Sequence, residues 1–158
     1  MNNLTNQDQV IEETLNSAKT IAMVGVSSVK KENKSNLVRK PSIIVMSYLK
    51  EFGYKVIPVN PFSLGKKIND EEVVAKLDDI QMPIDIVNVF RPSAEAVSIA
   101  EQAIKIKAKT LWLQFGIQND QAKKMVESQN ITYIANRCIK QEYQRLFLKV
   151  NPVFPALK

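Results

Sequence analysis

Residues 25–40 hold side chains suited to binding a charged group. Gly25, Ser27 and Ser28 follow an apolar run, and five basic residues then stand against one acid, Glu32. The basic residues are Lys30, Lys31, Lys34, Arg39 and Lys40. A glycine lets a ligand approach the backbone, hydroxyls donate hydrogen bonds, and lysine acts as a point charge on phosphate. The segment therefore indicates a phosphate site, and the alternative is a solvated, lysine-rich loop.

Two further segments place polar or aromatic residues directly after apolar runs. Asn60 lies between Pro58 and Pro61, which fix the chain direction and could form a wall for a base. Arg91 follows Phe90 and carries a planar guanidinium that matches phosphate geometry. Each residue also has a simpler explanation: a rigid turn for the prolines, a core position for Phe90 and a surface charge for Arg91.

The later part of the chain offers an amide, a glycine and a thiol. Gln114 can donate and accept hydrogen bonds, and Gly116 indicates a turn or a close backbone approach. Cys138, next to Arg137, could be a nucleophile or the disulfide partner of a thiol ligand. Because thiol reactivity requires exposure, we favour the alternative that Cys138 is a small buried side chain.

The composition excludes several kinds of chemistry. Histidine is absent and Cys138 is the only cysteine in 158 residues. Ser-His-Asp and Cys-His nucleophiles, a His-based metal site and an internal disulfide are therefore excluded. We predict no catalytic residues and no metal site. The net charge of +6 points to an acidic partner, either a nucleotide or a nucleic acid.

Five short, almost continuous apolar runs predict the strands of a sheet that helices cover on both faces. The runs are 21–26, 54–59, 84–90, 110–114 and 131–135. Helical periodicity separates them, and we expect a short helix over residues 70–76. The alternation predicts one domain over residues 1–158, an α/β three-layer Rossmann-type fold. Its five-stranded parallel sheet is expected in the order 3-2-1-4-5.

Ligands of such sheets bind beyond the carboxyl ends of the strands, where the segments described above lie. A Gly-x-Gly-x-x-Gly fingerprint is absent, because Ser27 and Lys30 stand in place of its second and third glycines. The second run ends with Val59, Asn60 and Pro61, without the acid that binds an NAD ribose. Both features argue against an NAD-dependent dehydrogenase.

Six segments in order across about residues 18–147 carry a resemblance to a known family. They are 24–27, 41–42, 53–61, 90–93, 112–116 and 137–139, of which 53–61 and 112–116 are the most specific. On these residues the chain resembles the CoA-binding domain proteins, which are small stand-alone Rossmann-type proteins. They are similar to the CoA-binding domains of succinyl-CoA synthetase and of ADP-forming acyl-CoA synthetases. The chain departs from the family by extra residues around 31–38 and by Tyr143, where the family tends to have a histidine.

The resemblance implies a coenzyme A or acyl-CoA ligand that lies along the strand ends. It implies a carrier, sensor or regulatory module, because the phosphohistidine portion of the synthetases has no counterpart here. Residues 113–116 would pass near the pantetheine or the pyrophosphate. The residues predicted to contact the cofactor are Gly25, Val26, Ser27, Ser28, Lys30, Lys31, Ser42, Asn60, Pro61, Phe90, Arg91, Leu113, Gln114, Phe115 and Gly116.

Two rival functions stay open. One is an enzyme, either an acyl or thiol transferase that uses Cys138 or a nucleotide-dependent oxidoreductase. The other is nucleic-acid binding through the basic segment, although that segment lacks the interleaved aromatic residues that stack on single strands. We expect a cytoplasmic protein with a small-molecule nucleotide ligand and no membrane partner, because neither a signal peptide nor a spanning run is present. A protein partner or a homo-oligomer stays open.

Overall fold

The computed structural model describes residues 5–26 and 41–149. The helices in these ranges are α1 Asn6–Ser17, α2 Pro41–Glu51, α3 Ala96–Lys105, α4 Asp120–Glu127 and α5 Ile139–Phe147. The strands are β1 Thr20–Val24, β2 Lys55–Val59, β3 Lys67–Ile68, β4 Glu71–Glu72, β5 Ile86–Val89, β6 Thr110–Leu113 and β7 Thr132–Ile134. Short 3-10 helices span Pro61–Ser63, Leu77–Asp79 and Ser93–Glu95.

The main sheet has five strands in the order β2-β1-β5-β6-β7, and every neighbouring pair is parallel. Four of its strands fall inside the predicted apolar runs and β1 begins one residue before its run, so the α/β fold and the parallel sheet are confirmed. The helices form two layers: α1, α2 and α5 cover one face, and α3 and α4 cover the other. Both faces of the sheet are therefore buried, which explains the near-continuous apolar sequence of the strands.

The predicted strand order, 3-2-1-4-5, is wrong. In chain order the main strands are arranged 2-1-3-4-5, so β5 pairs with the free edge of β1 and not with β2. The outer edge of β2 is occupied by Val74, whose N–H donates to the Pro58 carbonyl while its own carbonyl accepts from Asn60. With that edge taken, the next strand pairs with β1. The order reverses between β1 and β5, and this switch point is where such sheets bind ligands.

The helix expected over residues 70–76 is also absent from the structure. Asn69 and Asp70 both have positive φ, 50° and 66°, and they form the turn of a hairpin between β3 and β4. Asn and Asp tolerate this backbone region, and two such central residues suit a tight hairpin turn. The chain then continues to Val74 at the edge of β2.

Among residues 5–26 and 41–149, no helix has both the length and the apolar character needed to cross a bilayer.

Candidate functional site

A cleft of about 390 Å³ opens at the carboxyl ends of β1 and β2, next to the switch point. It is bounded by the strand ends, by the loops that follow β2 and β5, and by one side of α3. Its lining residues are Val24, Gly25, Val59, Asn60, Pro61, Phe62, Ala75, Lys76, Arg91, Glu95, Ser98, Ile99 and Gln102. Four of the predicted ligand residues, Gly25, Asn60, Pro61 and Arg91, are thus brought together from three separate loops.

Gly25 forms the floor of the cleft at the end of β1. Its φ is +97°, a conformation that side-chain-bearing residues rarely adopt. The stem of Arg91 crosses it so closely that a Cβ on Gly25 would lie 2.8 Å from Arg91 Cδ and 3.2 Å from the Phe90 carbonyl carbon. The glycine is therefore required both by the backbone conformation and by the neighbouring arginine.

The Arg91 guanidinium is held by a two-pronged ion pair with Glu95. Arg91 Nε donates to Glu95 Oε1 at 3.1 Å, and Arg91 Nη2 donates to Glu95 Oε2 at 2.7 Å. The hydrogen bonds from Arg91 lower the pKa of Glu95, and the same bonds raise the pKa of Arg91. This pairing occupies one edge of the guanidinium, and among the described residues no hydrogen bond is made by the edge that the two terminal nitrogens form, which suits an anionic ligand.

Asn60 organises the loops rather than offering a free amide to a ligand. Its Nδ2 donates to the Val26 carbonyl at 2.9 Å, and its Oδ1 accepts from the Phe62 N–H at 2.9 Å. The first bond ties the end of β2 to the chain leaving β1. The second caps the 3-10 helix Pro61–Ser63. Asn60 thereby fixes the positions of Gly25, Pro61 and Phe62 around the cleft.

Seven other residues predicted to contact the ligand are not among the described residues that line the cleft. Ser27, Ser28, Lys30 and Lys31 lie outside the described residues. Val26 is fully buried in the core, and Ser42 is buried in the first turn of α2. Phe90 packs against the core on the face covered by α1, α2 and α5, so it does not line the cleft.

The segment 113–116 begins at the last residue of β6, and none of its residues lines the cleft. Leu113 is fully buried, whereas Phe115 is 75% exposed. Gln114 is buried, and its Oε1 accepts from the Ile139 N–H at 3.0 Å and from Asn88 Nδ2 at 3.1 Å. Gly116 has a φ of +86°, and its N–H donates to Asn136 Oδ1 at 2.7 Å. Gln114 and Gly116 therefore hold the beginning of α5 and the end of β7 in place.

Cys138 is a free, half-buried thiol that packs against the core at the N-cap of α5. The neighbouring Arg137 is directed away to Glu142, whose Oε1 accepts from Arg137 Nη1 at 2.9 Å and from Arg145 Nη2 at 2.8 Å. Arg145 also pairs with Asp8 and thereby lowers the pKa of that carboxyl. The network joins α1 to α5, so its charges have a structural role.

Several lining residues were not predicted from the sequence. Glu95, Ser98, Ile99 and Gln102 come from the 3-10 helix Ser93–Glu95 and from α3, and Phe62 comes from the loop after β2. The spacing of Ser98 and Gln102, four residues apart, places both on one side of α3. The same spacing is common on solvated helix faces, so the sequence did not identify these two residues as part of a binding site. Clusters of acidic or sulfur ligands suited to a metal were not found among the described residues.

A sequence model of the CoA binding domain family matches residues 19–144, which is most of the chain. The chain belongs to this family. The match spans every strand of the main sheet and all the loops that line the cleft. Membership in the CoA-binding domain family confirms the resemblance inferred from the sequence and supports coenzyme A binding by the module.

Individual relatives agree with this assignment. The uncharacterized protein YneT of Bacillus subtilis (strain 168) is 37% identical over 133 residues, which are 82% of this chain and 89% of YneT. A Thermus thermophilus structure, cell-free ID.343, has a TM-score of 0.78 at 35% identity and covers 93% of this chain and 100% of its own. A hypothetical protein from Pyrococcus horikoshii OT3 has a TM-score of 0.77 at 35% identity, and the match covers 91% of this chain and 93% of the Pyrococcus chain.

Proposed function

We propose that this CoA-binding domain protein binds coenzyme A or an acyl-CoA with the nucleotide end of the ligand in the cleft. Its proposed role is that of a carrier, a sensor or a regulatory module. The observation that carries the proposal is the convergence of Gly25, Asn60 and Arg91 at the point where the strand order reverses. Membership of the family supplies the chemical class of the ligand.

The physical basis is a match between the cleft and a nucleotide diphosphate. Gly25 lines the cleft at the end of β1, and Arg91, whose aliphatic stem packs against Gly25, brings a guanidinium to the same lining. Lys76 adds a second cation to the lining, while Val59 and Ile99 supply apolar surface for a base or ribose. We propose that Ser27, Ser28, Lys30 and Lys31, which follow in sequence, add contacts to the phosphates.

The carboxylate of Glu95, which lines the cleft, is poorly suited to act as a general acid. Glu95 is held in a bidentate pair with Arg91, which keeps its pKa low and its negative charge compensated. A general acid needs a pKa near the working pH, and the Arg91 pair moves the pKa of Glu95 in the opposite direction. We propose a binding module rather than a transferase or an oxidoreductase, and Glu95 offers neither rival a general acid.

Calorimetric titration with coenzyme A, dephospho-CoA, ATP and NAD tests the proposal. We expect coenzyme A to bind most tightly and dephospho-CoA less tightly, because the latter lacks one phosphate. Tighter binding of NAD than of coenzyme A would overturn the proposed ligand.

A lysine variant tests the contribution of the basic segment. Replacing both Lys30 and Lys31 by alanine should weaken coenzyme A binding and leave the thermal midpoint of unfolding unchanged. The matched control removes Lys123 and Lys124, two exposed lysines of α4. Equal affinities in the two double variants would show that Lys30 and Lys31 are only solvated charges.

A further inference from the structure

Phe62 is an almost fully exposed aromatic residue on a backbone that is held in place. The side chain is 87% exposed at the cleft rim. Its N–H donates to Asn60 Oδ1, and the next residue, Ser63, donates its N–H to the Asn60 carbonyl at 3.2 Å. The chain therefore presents a large apolar ring to solvent at a defined position, and the ring gains little from folding.

The surface next to Phe62 has two chemically different parts. Val59 and Ile99 give the cleft an apolar wall, while Gln102 and Lys76 offer hydrogen-bond donors beside it. A flat heteroaromatic ring could lie against such a wall and use its edge nitrogens toward the polar groups. Phe62 is the aromatic ring that the described cleft lining contributes.

We propose that Phe62 stacks on the purine base of the bound nucleotide and thereby favours ligands that carry a base over ligands that lack one. The inference rests on the proposed function, since it concerns the nucleotide end of the same ligand. Stacking of a base on an aromatic side chain buries one face of the base and one face of the side-chain ring, and it tolerates different bases. The Asn60 cap holds the backbone of Phe62 before the ligand arrives, so little ordering cost remains at binding.

The test compares Phe62→Ala with Leu64→Ala, using three probes. Leu64 is the matched control because it is 63% exposed in the same loop and does not line the cleft. The probes are coenzyme A, ADP and 4′-phosphopantetheine, which lacks the base. We expect F62A to weaken coenzyme A and ADP binding about tenfold and to leave the affinity for 4′-phosphopantetheine unchanged. Phe62→Trp should retain or improve the affinity for both nucleotides.

The outcomes separate the stacking role from the proposed function. Unchanged nucleotide affinity in F62A, or an equal loss in L64A, would overturn the stacking role while leaving coenzyme A binding intact. An equal loss for 4′-phosphopantetheine would also overturn it. If the unmodified protein bound ADP through Phe62 but not coenzyme A, the proposed ligand would fail and the stacking role would stand. Failure of the unmodified protein to bind any nucleotide would overturn both.

Discussion

The stem of Arg91 lies directly over the backbone of Gly25, and a Cβ on that glycine would lie 2.8 Å from Arg91 Cδ. The contact joins the loops after β1 and β5, the two neighbouring strands at the switch point. It brings a guanidinium that can bind phosphate to the end of β1. Because Gly25 has no side chain, the Arg91 stem can pack against its backbone, and both residues line the cleft.

Gly25→Ala should lower both stability and affinity. The variant places a methyl group against Arg91 and the Phe90 backbone and forces alanine into a φ of +97°. The control is Gly53→Ala, which has the same φ, while no atom of the described residues lies within 4 Å of the added Cβ. We expect G53A to cost about 1–2 kcal/mol of unfolding free energy because alanine is strained at positive φ, and G25A to cost at least about 1 kcal/mol more because of overpacking. Denaturant unfolding measures the cost, and calorimetry should show weaker coenzyme A binding only in G25A.

Glu95→Gln should tighten the binding of coenzyme A. Glu95 engages Arg91 and adds a negative charge to a cleft proposed to hold an anion. Because the two side chains are 42% and 45% exposed, solvent screening limits the effect. We expect about a two- to fivefold gain in affinity, corresponding to an exposed ion pair worth up to about 1 kcal/mol. Glu101→Gln, an exposed position of α3, makes the same charge change outside the cleft and should leave affinity unchanged. Weaker binding in E95Q would mean that Glu95 positions Arg91 for the ligand.

Gln114→Ala should destabilise the fold. The side-chain oxygen of Gln114 accepts from the Ile139 N–H and from Asn88, and the variant leaves both buried donors without this acceptor. An unsatisfied buried donor costs about 1–3 kcal/mol, so we expect a loss of about 2 kcal/mol in denaturant unfolding. Gln129→Ala, at an exposed position after α4, is the control and should be neutral. A neutral Q114A would show that water replaces the lost acceptor.

Asp85 should make stability depend on acid pH. Burial would raise its pKa, but hydrogen bonds from the Lys19 and Thr20 N–H groups and the charge of Lys109 lower the pKa below the usual 3.8. The ionised form is therefore favoured in the folded state. Its stabilising contribution is fully present above about pH 4 and is lost as the pH falls through the folded pKa.

Asp85→Asn tests this pH dependence. At pH 7 we expect the variant to lose about 1–3 kcal/mol of unfolding free energy, because the Asp85 side chain is only 15% exposed. The difference from the unmodified protein should shrink as the pH falls below 4 and through the lowered pKa of folded Asp85, because the aspartate is then protonated and neither protein carries the charge. Asp79→Asn, at an exposed position, should show neither effect. A difference that stayed constant from pH 7 to pH 3 would contradict the assignment.

The sequence alone determined the secondary structure of the sheet and the layers around it. Continuous apolar runs predict buried parallel strands, because residues on both faces of such strands meet helices. Gly25, Asn60 and Arg91 could be predicted as ligand residues because each lies at the end of one of these runs or directly after it. These features depend on the order of residue types within short segments, which can be read directly from the sequence.

Only the tertiary structure decided the strand order and the walls of the cleft. Val74 occupies the edge of β2 through backbone hydrogen bonds, and β5 pairs with β1. Backbone hydrogen bonds of this kind do not depend on the residue type, so the sequence does not reveal them. The Arg91–Glu95 pair and the side of α3 that faces the cleft depend on that placement. Which loops meet at one edge of the sheet is set by long-range pairing of backbone groups, and the same apolar runs are compatible with more than one order.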